Sequence, residues 1–292
     1  MKKSFSSKIM PWLFLTPTLI FVGIFSYYAI GKAFVDSFTD ATFGIKSNWI
    51  GLQNYINAFQ DVVFRTAMRN QLAITVTTVV NSVFFPLLAA ELIFFVRNKR
   101  IAGIVKTGFV IPMMVPSLVI VLMWKYLYNP NFGFNTILRK LDLKSLTKNW
   151  LNNEATALIC VILIGFPFIS GMYFLIMHNG LNMIGEELYE AAIIDGATSM
   201  QVVRYIHIPN MKPHIKTVVT LSLINSLSGF GNVFATTSGG PGYSTMIPAL
   251  QMYKIAFGDG KFGYASALGV LLMILIVALT LISRRAFGKE EN

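Results

Sequence analysis

Ser222, Asn225, Gly229 and Asn232 recur at steps of three, four and three residues inside an otherwise mainly apolar stretch. On a helix, that spacing gathers all four on one face. Thr78, Asn81 and Ser82 form a similar polar group in a second apolar stretch. Amides and hydroxyls of this kind offer hydrogen bonds to a polar solute without making or breaking covalent bonds. Asparagine is costly in lipid, so these faces point toward protein or a water-filled path. Two readings fit: a path for a solute, and packing in which Ser, Asn and Gly join helices to one another.

Groups suited to covalent or metal chemistry are few. The chain has no GxxxxGK[ST] run to hold a nucleotide, no HExxH and no cysteine cluster. Its single cysteine, Cys160, lies in an apolar run and excludes an intrachain disulfide. His178, His207 and His214 fall in one segment. Pro209 and Pro213 deny the last two a helical metal-ligand spacing. All three read as histidines near a membrane–water interface. Glu91 is the one acid well inside an apolar stretch, where a charge is expensive. It reaches the interface or pairs with a neighbouring base. Coupling to an ion is a third use, but a second intramembrane acid is missing. No enzyme signature is left.

The elements that must position these groups are membrane spans. The chain has 292 residues, 54% of them hydrophobic and only 13% charged, with a mean hydropathy of +0.61. Soluble domains carry about 25% charged residues. The net charge of +11 does not point to nucleic acid, because Lys and Arg cluster beside apolar runs, as topology signals do. Six stretches reach the ~20 residues that a helix needs to cross a bilayer. They are 11–34, 72–96, 104–127, 155–177, 215–236 and 263–283. The fold class expected is therefore an all-α membrane protein with six transmembrane helices, forming one domain over 1–292. Pro86, Pro112, Pro116 and Pro167 are expected to kink their spans.

The first apolar run is longer than a signal-peptide core and lacks a small-x-small cleavage site, so it reads as a retained span. Dense "RNKR" at 97–100 and "RR" at 284–285 place 1–10, 97–103, 178–214 and 284–292 in the cytoplasm, with both termini inside. "RKLDLK", with Arg139, Lys140 and Lys144, falls outside and is the contrary feature. The outer segments 35–71, 128–154 and 237–262 include "WIGLQNYINAF" and "YNPNFGFNTILRKL", which read as ordered rather than as linkers.

Between the fourth and fifth spans lies a compact acidic insert. "IGEELYEAAII" is rich in helix formers, with Glu186 and Glu187 in the first turn, where acids suit the helix dipole. Asp195-Gly196 supplies a stop. Thr198 with Gln201 matches a capping box that opens a second helix, "MQVVRYIHI", which Pro209 helps to end. Two capped helices exceed what joining two spans requires, and Ala191 and Ala192 leave a smooth surface for a partner. A well-formed interhelix loop is the other reading.

"EAAIIDGATSMQVVRYIHIPNMKP" closely resembles the EAA loop in permease subunits of bacterial ATP-binding-cassette importers. The matching elements are Glu190, Ala191 and Ala192, then Asp195, Gly196 and Ala197, then "IHIPNMKP". Ile208 stands where leucine is usual, and Gly185 where proline is common. "WIGLQNYINAF" and "IPMMVPSLVIVLMWKYLYNPNFGFNTIL", with Trp124, Gly133 and Asn135, are similar to segments of carbohydrate-type permeases. "TTSGGPGYSTMIPALQMYKIAFGDGKFGYASAL" resembles the first subunit of such permease pairs, as in maltose and glycerol-phosphate transporters.

The resemblance implies the type I importer permease fold, with the EAA helix as a coupling helix in a groove of the ATPase. It implies a heterodimer with a second permease, two cytoplasmic ATPase subunits, an extracytoplasmic solute-binding protein and a place in the bacterial inner membrane. ATP and Mg would belong to the ATPase, with no cofactor in this chain. The solute implied is a carbohydrate, an oligosaccharide first and a sugar phosphate as the alternative. Candidates for its path are Asn81, Tyr173, Ser222, Asn225, Gly229, Phe230 and Asn232, with Tyr173 and Phe230 offering aromatic surface. An ion-coupled secondary transporter and a non-transporting scaffold are the rivals that this resemblance disfavours.

Overall fold

Proline and glycine decide where the apolar stretches of this chain stay helical and where they break. The computed structural model describes residues 5–43 and 47–287, with side chains from Met10 onward. Residues 1–4 and 288–292, the ends of the two terminal segments expected in the cytoplasm, lie outside the described residues. Apart from one isolated β-bridge, Thr39 to Trp49, the regular structure described is helical. It forms two compact units: the chain up to Asp61 with Gln251–Met273, and Val62–Leu250 with the chain from Ile274 on.

In the first unit, α1 (Phe5–Val22) passes through a wider π-turn, Gly23–Tyr28, into α2 (Ala29–Asp36). The apolar part, Met10–Asp36, is long enough to cross a membrane and buries none of its apolar window. Such a helix needs lipid or another chain around it. Described residues of the segment that follows hold one another in place. Phe38 stacks on Trp49 at 5.3 Å. Buried Asn54, on α3 (Gln53–Gln60), donates to the carbonyls of Ser37 and Thr39 at 2.9 and 2.8 Å.

The second unit is built around α4 (Val62–Phe94), 33 residues that continue through Pro86. The apolar stretches after it are interrupted. α5 (Lys99–Val110) and α6 (Ser117–Leu127) meet at a 93° bend, where Pro112 and Pro116 withhold backbone donors from a continuous helix. α7 (Gly133–Lys140) follows in the loop after α6. α8 (Glu154–Ile162) and α9 (Gly171–Asn182) are separated by "LIGFPFIS", in which Gly165 and Phe168 have φ of +89° and +64°. α10 (Glu186–Ile194), α11 (Ser199–Val202) and α12 (Ile208–Asn210) make up the insert, with a π-turn at Val203–His207. The second short helix therefore does not stop at Pro209 but leads almost directly into α13. The wider i→i+5 turn ahead of Pro209 lets the chain pass a residue that lacks an N–H.

α13 (Lys212–Ser228) stops at Gly229, whose backbone is extended, and α14 (Gly231–Thr236) starts again two residues later. α15 (Pro248–Phe257) and α16 (Phe262–Ala286) complete the chain. Within the first unit, Asp61 accepts from Gln251 and Tyr264 at 2.8 and 3.0 Å. Among the described residues, three helices are long and apolar enough to cross a membrane, or four if the bent pair counts as one span. The predicted spans 104–127, 155–177 and 215–236 are thus each divided, because glycine and proline break their backbone ladders.

Beside α4, the core of the second unit joins α9 and α13 through Ala89, Ala90, Phe174, Met177, Leu181 and Val218. Small residues on α4 allow this close approach.

Candidate functional site

The divided helices open a cavity of about 740 Å³ inside the second unit. α4 contributes Thr78, Asn81 and Ser82 to its wall, the 3.6-residue repeat placing them together. The last turn of α13 brings Asn225 and Ser226, the extended Gly229 follows, and α14 brings Asn232. The bend between α5 and α6 adds Pro112, Met113 and Ser117, and the break before α9 adds Phe168 and Ser170. None of the described lining residues carries a charge. Such a wall can hydrogen-bond a neutral polar molecule and offer it apolar contact, and its volume falls within the ~300–1,000 Å³ of small-molecule sites.

The wall is held by a network behind it. Gln71 donates from Nε2 to the Ser226 carbonyl at 2.9 Å and to Thr75 Oγ1 at 3.0 Å. Ser226 Oγ donates to Thr75 Oγ1 at 2.7 Å, fastening α13 to α4. Asn225 Nδ2 donates to Tyr173 Oη at 3.2 Å.

Of the path candidates, Asn81, Asn225, Gly229 and Asn232 meet at this cavity. Three others lie outside its lining. Ser222 is fully buried and donates to the Val219 carbonyl at 3.1 Å. Tyr173 is buried in the helical core, reaching Asn225 only through its hydroxyl. Phe230 packs against an apolar cluster containing Val233 and Ile247. Phe168, Ser117, Ser170 and Ser226 were not singled out from sequence. For Ser117, Phe168 and Ser170 the signal was Pro112, Pro116 and Pro167, which mark complete breaks rather than kinks, while Ser226 lies next to Asn225 in the last turn of α13.

A second surface belongs to the insert. α10 carries Glu190, Ala191 and Ala192, ends at Asp195, and is closed by Gly196 at φ +77°. Gly196 and Ala197 donate back to the carbonyls of Ile193 and Ala192 at 3.1 and 2.9 Å, a helix stop that favours glycine. The predicted capping box is present: Thr198 and Gln201 exchange side-chain and backbone bonds. Glu190, Ala191, Asp195 and Gly196 are exposed, Ala192 and Ala197 half-buried. Beside them Leu188, Ile193 and Ile194 also face outward, Ile194 with 85% of its surface free. A short helix presenting acids, alanines and bare isoleucines suits a partner that covers it.

Glu91 does find a base. Its Oε2 lies 2.8 Å from His207 Nδ1, and both residues are buried. His207 is therefore an interior residue, whereas its sequence position suggested the interface. The polar insert packs its second helix onto the end of α4. His178 stacks on Phe174 at 5.6 Å, and His214 lies against Gly180. Among the described residues, no three His, Cys, Asp or Glu side chains converge as for a metal ion.

Residues 82–290 match the family model described as "Binding-protein-dependent transport system inner membrane component". The chain is 32% identical over 289 residues to the probable ABC transporter permease protein YurN of Bacillus subtilis, covering 98% of this chain and 99% of that one. It is 30% identical to the arabinooligosaccharides transport system permease protein AraP of the same organism, covering 99% and 91%. It is 29% identical to the multiple sugar-binding transport system permease protein MsmF of Streptococcus mutans, covering 98% and 97%. Among solved structures, a chain of a bacterial ABC transporter involved in importing the acidic polysaccharide alginate superposes with a TM-score of 0.87. That match has 21% identity and covers 98% of each chain, so the fold is shared.

Proposed function

The chain belongs to the binding-protein-dependent transport system inner membrane components, the multi-pass permease subunits of ABC transporters, and is not itself catalytic; from that premise we propose that it forms part of the path for a neutral carbohydrate. A second permease completes the path. Two cytoplasmic ATPases dock on the coupling helices, one of them on α10 through Glu190–Ala192 and Asp195–Ala197. ATP and Mg bind in those ATPases. A binding protein outside delivers the solute. ATP-driven closure turns the cavity outward, and hydrolysis resets it. In this reading the chain is one membrane domain with six crossings and both termini in the cytoplasm. α8 with α9 then makes one crossing, and α13 with α14 another.

The observation that carries the proposal is the cavity: amides and hydroxyls without a charge, beside apolar and aromatic contact. An oligosaccharide presents hydroxyls on its edges and apolar ring faces. A sugar phosphate would need a basic partner, and none stands among the described lining residues. The relatives named for arabinooligosaccharides and multiple sugars support the same substrate class.

The test is purification through a tag on this chain, followed by reconstitution of whatever co-purifies into liposomes. A second permease and an ATPase, with uptake of a neutral oligosaccharide that needs ATP and the binding protein, is the expected result. This chain alone moving solute without ATP would overturn the proposal.

A further inference from the structure

We propose that the buried Glu91–His207 pair is the latch through which movement of the coupling loop reaches the cavity wall, with α4 as the lever. The proposal rests on the importer reading above.

The wall of the cavity is drawn from four helical regions. Three are interrupted at the cavity: α5–α6 at Ile111–Pro116, α8–α9 at 163–170, and α13–α14 at Gly229. An interrupted helix bends at its break instead of passing on a displacement. α4 alone of these runs unbroken past the cavity, with Thr78, Asn81 and Ser82 in its middle and Glu91 in its last turn. Asn81 and Glu91 are ten residues apart, about 15 Å along a helix that stays continuous through Pro86.

The end of that lever is gripped by the insert from two sides. Phe94 stands edge-on to Tyr189 of α10 at 5.4 Å and edge-on to His207 at 4.6 Å. His207, at the close of the π-turn, bonds Glu91 at 2.8 Å. An acid in the last turn of a helix opposes the helix dipole. Glu91 Oε1 has no hydrogen-bond partner among the described residues, so His207 supplies the bond that the structure shows for this carboxylate. A carboxylate held at the unfavourable end of a helix by one bond is a poor way to glue two elements that only need packing. It is a directional link between an element that a partner moves and an element that reaches the solute. Glu91 and His207 are positioning residues: neither lines the cavity.

The test uses the assembled transporter in liposomes, measuring oligosaccharide taken up per ATP hydrolysed. Glu91→Ala and His207→Ala should still co-purify with the ATPase and hydrolyse ATP. Solute moved per ATP should fall roughly tenfold in each, a typical size for coupling between sites. His207→Asn, whose amide nitrogen can stand near the Nδ1 position, should restore most of that ratio. The double alanine variant should be no worse than either single one, because both remove the same link. An unchanged ratio in the single variants, or a His207→Asn as defective as His207→Ala, would overturn the latch. If the alanine variants fail to assemble, Glu91→Leu, which keeps similar bulk but offers no hydrogen-bonding group, is read the same way. Lack of ATP-dependent uptake by the unaltered transporter would instead sink the importer reading.

Discussion

Asn225 and Tyr173, 52 residues apart in sequence, meet at 3.2 Å, with the amide of a cavity residue donating to the hydroxyl of a core residue. The tyrosine does not line the cavity. It fixes the direction of an asparagine that does, and on the proposed function the Asn225 carbonyl oxygen would accept from a solute hydroxyl.

Tyr173→Phe should therefore alter uptake while leaving assembly intact. Losing one such bond is worth about 0.5–1.5 kcal/mol, or roughly a two- to tenfold rise in the apparent KM for solute. Asn225→Leu should change rate or solute preference more strongly, again with the ATPase still bound. Loss of ATPase binding in the purified Asn225→Leu complex would assign this pair to packing alone.

Gly196→Pro should separate ATP hydrolysis from uptake. The position needs φ near +77° and its N–H bonds the Ile193 carbonyl. Proline fixes φ near −65° and has no N–H. The expected outcome is a protein inserted at normal level whose uptake falls by at least about tenfold. Normal uptake at normal expression would count heavily against docking on α10.

Gly263→Ala should destabilise the first unit. A Cβ there would lie 2.1 Å from the Thr39 carbonyl oxygen and 2.9 Å from the Ala41 nitrogen, and both are backbone. A cost of about 1–3 kcal/mol is expected, read as a lower midpoint in thermal unfolding of the detergent-solubilised complex. Gly269→Ala is the control. Its Cβ would meet only the flexible Met252 side chain, at 3.1 Å, so a drop as large as that of Gly263→Ala would refute the steric explanation.

Asn135→Asp should loosen the loop that contains α7. Asn135 donates to the carbonyls of Pro130 and Lys148 at 3.0 and 2.8 Å, and accepts from the Lys148 amide and Trp150 Nε1 at 3.3 and 2.8 Å. A carboxylate keeps the acceptor half and loses both donations. The Lys148 carbonyl loses the donor shown for it, while the Pro130 carbonyl keeps Arg139 Nη1 at 3.4 Å. A carbonyl left unpaired costs about 1–3 kcal/mol, so limited proteolysis between 129 and 150 should become faster. Unaltered cleavage would mean that water replaces the lost bonds.

Local signals in the sequence carried far. Thr198 and Gln201, Asp195 and Gly196, and the early acids of α10 lie where the insert was expected to start, stop and restart. The governing contacts are within three or four residues, so the chemistry of each short segment decides them. The stripe Ser222, Asn225, Gly229 and Asn232 was legible only in part, because a helical wheel assumes an unbroken helix. The wheel fails at Gly229. Extended backbone there resets the phase, so Asn232 reaches the cavity from a new helix. Ser222 turns inward and satisfies its hydroxyl on its own backbone. The Glu91–His207 contact spans 116 residues. Nothing in either neighbourhood names the other, since only the packing of the insert onto α4 brings them together.

The uncharged wall of the cavity has an electrical consequence. Moving one elementary charge through a membrane potential changes the free energy by about 2.3 kcal/mol per 100 mV. If the cavity alternates between the two faces of the membrane as proposed, its described lining carries no charge across, and the solute proposed for it is neutral too. On the proposed cycle the lining itself and its solute contribute no such term, so the membrane potential does no work on them. Depolarising the membrane would then leave the passage of solute along this lining unchanged for as long as ATP lasted.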